Sequence, residues 1–186
     1  MKILPASLLV VALTSSPFFL PTAAGKEEEV LNFIDMHRNS DGTYEKGYEY
    51  SFGDWEKKAV QVPAKGLVVN LTGSKGGVGD NGGIDIGKFT RLRFSFVLSN
   101  RNRAKSFVFS LTDKDGTDQS FEVSLEGVPR GVEQKFTVDL TKPTRVDAPG
   151  SVPGLNLAKL KVWQLKGNYQ DEPIEILFLR IAAVTG

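Results

Sequence analysis

The 186-residue chain has 40% hydrophobic and 24% charged residues, enough for one globular core and less than two domains usually need. Its 23 Lys and Arg residues nearly balance 22 Asp and Glu residues, so it lacks the basic excess that favours nucleic-acid binding. There is no Cys and a single His, His37, which excludes disulfides, thiolate metal sites and zinc sites made of several His.

Residues 1–24 have the pattern of a Sec signal peptide. Lys2 gives a positive start, residues 3–20 are predominantly apolar, and Thr22, Ala23 and Ala24 offer small residues for cleavage. Prolines interrupt the apolar run and no Cys follows it, which disfavours a permanent membrane helix and a lipid anchor. We therefore expect an exported protein, periplasmic or extracellular, with no membrane anchor after cleavage.

Beyond residue 24, apolar residues alternate with a period of two in short segments separated by Gly, Pro, Asn and Asp. This pattern predicts an all-β fold, a two-sheet antiparallel jelly-roll β-sandwich over residues 44–186, with residues 25–43 leading into it. A closed barrel is the alternative, which the mixture of long and short connections disfavours. The predicted strands are residues 30–34, 48–52, 59–62, 66–71, 91–98, 106–112, 120–125, 134–140, 159–165 and 174–182.

Three sequence features between these strands predict turns or loops. The glycine-rich stretch 75–83 contains the spacing G-x-G-x-x-G, but no helix can start after it, so we expect a rim loop and no dinucleotide site. Asp115-Gly116 predicts a hairpin, although the three carboxylates in residues 113–118 would also suit calcium. The prolines of the stretch 141–156 predict a surface loop that crosses between the sheets.

Alternation places Phe-rich side chains on one face of the strands and polar side chains on the other. The expected inward set is Leu92, Phe94, Phe96, Leu98, Phe107, Phe109, Leu111, Phe121, Val123, Leu125, Phe136, Val138 and Leu140. The segment 159–165 departs from the rule, because Trp163 shares the parity of Lys159 and Lys161 while Leu160 and Val162 take the other face. The alternation therefore predicts a Trp on the polar face, beside Lys161.

The order of these segments resembles the galactose-binding-like jelly-roll superfamily, and within it carbohydrate-binding modules and the complex-I-intermediate-associated domain. The resemblance rests on the glycine-rich stretch, the Phe-rich strand, the hairpin at 111–117, the strand Phe-Thr-Val-Asp-Leu at 136–140, Asn-Leu-Ala-Lys-Leu at 156–160 and the final strand at 174–181. It covers residues 44–186 and implies a sheet face or rim loops that bind saccharides. It also implies a structural calcium ion in some members; we assign no residues to one and expect no other cofactor.

Aromatic rings carry the prediction of a site, because sugars stack their C–H faces on Trp and Tyr while their hydroxyls bind polar side chains. Trp163 is the predicted stacking residue; the alternative is that its ring packs beneath a covering loop. Tyr169, on the loop that follows, is its predicted neighbour. The predicted polar partners are Arg93, Lys161 and Glu122 on strands and Asp80 and Asn81 on a rim loop.

These residues predict an exported, noncatalytic binding module with a carbohydrate ligand. The alternative is an assembly or adaptor domain that binds another protein through the same face, which would need a larger apolar patch. A polysaccharide hydrolase or lyase is less favoured. Glu122 and Asp139 both take the polar face, but the sequence offers nothing that would raise the pKa of one of them for acid catalysis.

Overall fold

The computed structural model describes residues 29–35, 37–38, 44–45, 48–62, 65–147 and 154–185. The predicted signal peptide, residues 1–24, lies outside these ranges. Within them, no helix combines the length and hydropathy needed to cross a membrane.

The described chain is built from strands and two short 3-10 turns, Phe33–Asp35 and Leu157–Lys159. The strands are β1 Glu29–Asn32, β2 His37–Arg38, β3 Tyr44–Glu45, β4 Tyr50–Gly53, β5 Ala59–Val62, β6 Gly66–Thr72, β7 Gly76–Asp80, β8 Arg91–Leu98, β9 Ser106–Asp113, β10 Asp118–Ser124, β11 Glu133–Asp139, β12 Arg145–Asp147, β13 Leu160–Gly167 and β14 Ile174–Val184. Each of the ten predicted strands overlaps one of these strands.

Two six-stranded antiparallel sheets form the sandwich. Sheet 1 has the order β11-β8-β14-β6-β5, with β1 paired to the C-terminal part of β14. Sheet 2 has the order β12-β10-β9-β13-β7-β4, and β2 and β3 form a separate small hairpin. From β7 onward the chain passes repeatedly between the two sheets, which confirms the predicted two-sheet jelly-roll β-sandwich.

Phenylalanine rings fill the space between the sheets. Phe94 and Phe96 of sheet 1 and Phe107 and Phe109 of sheet 2 are fully buried. Neighbouring rings meet edge to face, with centroids 5.5 Å apart for Phe94 and Phe107 and for Phe96 and Phe107. Each such ring contributes about 1.5 to 3 kcal/mol by burial, and its edge-to-face contacts add to this.

The segment before residue 44 takes part in this core. β1 pairs with β14, and Phe33 and Ile34 directly after it are fully buried. The Phe33 ring lies 5.3 Å from Phe109 and 5.9 Å from Trp163. Residues 29–34 therefore pair with sheet 1 and pack into the core, within the stretch 25–43 that the sequence predicts to lead into the sandwich.

Trp163 lies in the core, so the predicted position on the polar face is wrong. Its side chain is 1% exposed and stacks on Phe109 at 5.9 Å. The cause is a β-bulge: Leu160 pairs with Asp113 and Val162 with Thr112, so Lys161 is an extra residue in β13. The bulge reverses the alternation, and Leu160, Trp163 and Leu165 all face inward.

The glycine-rich stretch 75–83 is also not the predicted rim loop over its whole length, because residues 76–80 form strand β7 between β13 and β4. Glycine is rare in strands, so the sequence pattern did not predict strand β7. A Cβ on Gly77 or Gly79 would lie 2.5 Å from the carbonyl oxygen of Leu165 or Trp163. The close approach of the neighbouring backbone therefore explains why these positions are glycine.

The hairpin at Asp115-Gly116 is confirmed, and a buried carboxylate holds it. Oδ1 of Asp113 accepts hydrogen bonds of 2.9 Å from the backbone N–H groups of Asp115 and Thr117. Oδ2 accepts a third, also 2.9 Å, from the N–H of Asn156. Asp113 therefore ties the hairpin to the chain that enters β13.

The stretch 141–156 contains β12, a short strand at the edge of sheet 2, beside β10. An edge position fits the prolines of this stretch, which the sequence predicts to exclude a central strand. Residues 148–153 lie outside the described ranges.

We predict that Trp163→Ala lowers the free energy of unfolding by about 3 to 5 kcal/mol, because it leaves a cavity beside Phe109 and Phe33. Trp163→Phe should cost less, since it keeps a ring and removes an indole N–H that has no hydrogen-bond partner among the described residues. Chemical denaturation measures both. Val132→Ala, at a position 54% exposed, is the control and should change stability by less than about 0.5 kcal/mol. Equal effects of Trp163→Ala and the control would contradict the core assignment.

We also predict that Asp113→Ala lowers the free energy of unfolding by at least about 3 kcal/mol, because three backbone N–H groups lose a charged acceptor. Asp115→Ala, an exposed position in the same hairpin, is the matched control. Denaturant titration of the two variants should separate them clearly, and similar midpoints would show that Asp113 does not hold the hairpin.

Candidate functional site

The outer face of sheet 2 carries a row of side chains from three adjacent strands. Glu122 on β10 pairs with Val108 on β9, and Val108 pairs with Lys166 on β13. Glu122 and Lys166 therefore flank Val108, with their Cα atoms about 10 Å apart across two strand spacings. In the neighbouring row, Arg145 on β12 pairs with Ser120 on β10.

These residues line an open pocket of about 330 Å³. Strands of sheet 2 form its floor, and the loop after β13 forms one wall. The lining residues are Val108, Ser120, Glu122, Thr144, Arg145, Lys166, Gly167, Asn168 and Tyr169. The pocket thus combines one aromatic ring with hydroxyl, amide, carboxylate and cationic groups.

Tyr169 is the exposed aromatic residue of this pocket, with 50% of its surface accessible. Its backbone has φ +63°, a conformation that costs energy for a residue with a side chain. Its N–H donates to the carbonyl of the fully buried Ser74 at 3.0 Å, and the N–H of Glu172 donates to Ser74 Oγ at 3.3 Å. Partial burial, and secondarily the Asp54 charge, raise the pKa of Tyr169, so its hydroxyl stays neutral at physiological pH.

Lys166 is the half-buried cation of the pocket. Burial lowers the pKa of its ammonium group, and the charge of Asp118 opposes that shift. The ammonium group forms no ion pair and no hydrogen bond with any described residue. A partly desolvated ammonium group without a partner is costly, which marks it as a group that a ligand can satisfy.

The other charged groups of the pocket have partners. Glu122 accepts a short hydrogen bond from the Ser106 hydroxyl. The Arg145 guanidinium lies 2.9 Å from Asp147, to which it also donates a second hydrogen bond at 3.2 Å. Both side chains nevertheless remain exposed, and each can accept or donate further hydrogen bonds to a ligand.

Two further aromatic residues lie on the same face of sheet 2. Tyr50 and Phe52 on β4 pair with Gly79 and Gly77 on β7, and their rings lie 6.2 Å apart. A Cβ on Gly77 would lie 2.9 Å from the Phe52 ring and 3.0 Å from Lys166 Cγ, so ring and lysine meet above this glycine. The Tyr50 hydroxyl accepts a hydrogen bond from the Gln164 amide at 3.0 Å.

Sequence reasoning missed Lys166, Arg145, Tyr50 and Phe52. The sequence does contain a signal for Tyr50 and Phe52. Aromatic residues at alternate positions of one strand often pack over glycines at alternate positions of a neighbouring strand, here Gly79 and Gly77. Lys166 could not be predicted because of the bulge. Counting alternate positions from Leu160 without the extra residue places Lys166 on the inward face.

The structure brings together only two of the predicted site residues, Tyr169 and Glu122. Trp163 lies in the core, and Arg93 belongs to β8 in sheet 1. Lys161 is exposed at the bulge, at the opposite end of β13 from Tyr169.

The predicted rim residues Asp80 and Asn81 also lie away from the pocket. Asp80 pairs with Trp163 in register, is 2% exposed, and accepts a hydrogen bond of 2.6 Å from the Gly82 N–H. Asn81 is exposed, and its N–H donates to Glu49 at 2.9 Å. The single site predicted from sequence is therefore divided among the core, both sheets and two ends of β13.

The arrangement of carboxylates bears on catalysis. Glu122 lies in sheet 2, whereas Asp139 lies on β11 of sheet 1, where hydrogen bonds from Thr141 lower the pKa of Asp139. Among the described residues, Glu122 is the one carboxylate that lines the pocket. Across the described ranges, no group of three or more His, Asp and Glu side chains could hold a metal ion. His37 lies in β2, outside both sheets of the sandwich.

Comparison with known proteins adds similarity to solved structures alone. No protein-family model matches the chain. No curated protein sequence matches it either. A solved structure of an exo-beta-agarase is similar with a TM-score of 0.47 and 14% identity, over 90% of this chain and 24% of that one. The chain thus spans about a quarter of that protein, and a similarity at this level adds no argument about function.

Fold and pocket together define the class of this protein. It is an all-β sandwich domain with a polar pocket on one sheet face. The loop after β13, which is hydrogen-bonded to Ser74, places the exposed ring of Tyr169 in this pocket.

We predict that Tyr169→Gly is more stable than Tyr169→Ala by about 1 kcal/mol, because glycine adopts φ +63° without the steric cost of a Cβ atom. Both variants lose the ring, so the comparison isolates the backbone. Thermal and denaturant unfolding measure the difference. Equal stability would show that the backbone at residue 169 is not held in this conformation.

Proposed function

We propose that this chain is an exported, noncatalytic carbohydrate-binding module whose binding site is the pocket on sheet 2. The observation that carries the proposal is the exposed Tyr169 ring beside Glu122 and Lys166 in one pocket. A flat ring offers a stacking surface for the C–H face of a sugar, and the charged groups next to it offer hydrogen bonds to its hydroxyls. The proposal needs no cofactor and assigns no calcium site.

The geometry of the pocket suits part of a glycan chain. Its volume of about 330 Å³ lies at the lower end of the range for small-molecule sites. The pocket is partly open to solvent, and Tyr50 and Phe52 continue the aromatic surface beyond Lys166. A short segment of a polysaccharide can therefore bind without entering a closed cavity.

A noncatalytic role is supported by the charges. Glycoside hydrolysis by the usual route needs two carboxyl groups about 5 to 10 Å apart, one of them with a raised pKa. Glu122 alone lines the pocket, and Asp118, four residues earlier on β10, lies about 13 Å along the strand. Hydrolysis by a pair of carboxylates is thus disfavoured at this site.

A protein-binding adaptor is the second candidate, and one feature of the other sheet favours it. Val97, Leu177, Val68 and Val60 pair in register across four strands of sheet 1 and form an apolar row on its outer face. Val60 is 51% exposed and the other three are partly exposed. Apolar rows of this kind occur at protein interfaces.

A glycan array followed by calorimetric titration tests the first proposal. We predict that Tyr169→Ala weakens binding of the best glycan by about 1 to 3 kcal/mol, since the stacking surface is lost. Tyr169→Phe should retain most of the affinity because the ring remains. Val132→Ala, outside the pocket lining, is the control and should bind like the unmodified chain.

Two outcomes would contradict the proposal. Absence of glycan binding by a correctly folded chain would leave the adaptor function as the better candidate. Release of reducing ends or unsaturated sugars from a polysaccharide by the pure protein would show that the domain is an enzyme.

A further inference from the structure

Lys166 differs from the other charged groups around the pocket because its ammonium group has no partner among the described residues. Glu122 accepts from Ser106, and Arg145 pairs with Asp147. Asp118 accepts from the Thr112 hydroxyl at 2.8 Å. The ammonium group of Lys166 has no ion pair or hydrogen bond with any described residue, although the side chain is half-buried.

The position of Lys166 gives the pocket a polarity. The cation lies on β13 at one side of Val108, and the carboxylate of Glu122 lies on β10 at the other side. Tyr169 forms the wall next to Lys166. A complementary ligand has an anionic group at one end, hydroxyl donors at the other, and an apolar face between them.

We propose that the pocket selects sugars that carry a carboxylate, namely uronic acid residues, and that Lys166 binds the carboxylate while Glu122 accepts from a ring hydroxyl. This inference rests on the proposed carbohydrate-binding function and names its ligand class. The ring of a uronic acid holds its carboxylate and its ring hydroxyls on separate carbons, so one sugar offers an anionic group to Lys166 on one side of Val108 and a hydroxyl to Glu122 on the other.

The surrounding charges favour a monoanion over a phosphate monoester, which carries about 1.5 to 2 negative charges at neutral pH. Among the described residues, Lys166 is the unpaired cation of the pocket, and Arg145 is already neutralised by Asp147. Asp118, Arg145 and Asp147 all act on the Lys166 charge, so two carboxylates and one guanidinium group lie near the ammonium group. A single ligand carboxylate can pair with Lys166, whereas further negative charge meets the repulsion of these carboxylates.

Matched ligands and matched variants test this inference. The probes are a galacturonate tetrasaccharide and its methyl ester, in which the same sugar rings carry neutral esters in place of carboxylates. Each probe is titrated in the presence of EDTA, which removes divalent cations. We expect the unmodified chain to bind the acid about tenfold or more tightly than the ester, the size of one hydrogen bond to a charged group.

Lys166→Gln should weaken binding of the acid much more than binding of the ester and bring the two affinities to within about twofold of each other, because only the acid loses a contact between opposite charges. Lys166→Arg should restore the preference for the acid. Lys135→Gln, which removes a lysine 67% exposed on β11 of sheet 1, is the matched control for net charge and should keep the preference unchanged.

The outcomes separate the two proposals. Equal binding of acid and ester by the unmodified chain, or a preference that survives in Lys166→Gln, would overturn the inference and leave the carbohydrate-binding function in place. A folded chain that binds neither of these probes and no neutral glycan of the array would overturn the proposed function itself.

Discussion

A single extra residue in β13 decides which of its side chains face the core and which face the pocket. The bulge at Lys161 lies between Leu160 and Val162 and shifts the alternation by one position. Trp163 consequently enters the core against Phe109, and Lys166 reaches the outer face of sheet 2. Without the bulge the strand would bury the lysine and expose the tryptophan, so core and candidate site depend on the same local irregularity.

The neighbouring strand β7 shows a second way in which backbone geometry shapes the site. Gly77 and Gly79 leave the outer face of β7 without side chains, and Phe52 and Tyr50 of β4 lean over the vacant positions. The two rings cover backbone that would otherwise be open to water, which is a structural role on its own. The same arrangement carries the aromatic surface up to Lys166, so a stabilising contact also extends the candidate binding face.

Most of the fold could be predicted from the sequence because burial of a sandwich strand leaves a period of two in its apolar residues. Strands such as β8 and β9 carry that period in Phe and Leu, and the hairpin at Asp115-Gly116 follows from its turn residues. β7 could not be found in this way, because Gly-Gly-Val-Gly-Asp has one apolar side chain and no alternation.

The candidate site was less accessible to sequence reasoning, because it depends on register. Tyr169 and Glu122 were predicted individually, but their meeting in one pocket requires the order β10-β9-β13, which the chain order does not contain. Trp163 was predicted on the wrong face because residue composition does not reveal a bulge. The interrupted alternation at residues 159–163 nevertheless indicated an irregularity in this strand. The sequence pattern thus located the anomaly correctly and assigned it the wrong cause.

The pocket combines rigid strands with one strained loop, and this combination bears on binding. Glu122 and Lys166 are fixed by the ladder of sheet 2, whereas Tyr169 lies in a loop that two hydrogen bonds attach to Ser74. Ser74 is fully buried, so the attachment point itself cannot move without disturbing the end of the sandwich. A ring held in this way loses little freedom when a ligand stacks on it, and a larger part of the contact energy becomes affinity. This placement requires a left-handed backbone at Tyr169, a conformation that glycine adopts more readily. Burial of the half-exposed ring stabilises the loop too little to explain why a tyrosine, and not a glycine, occupies this position.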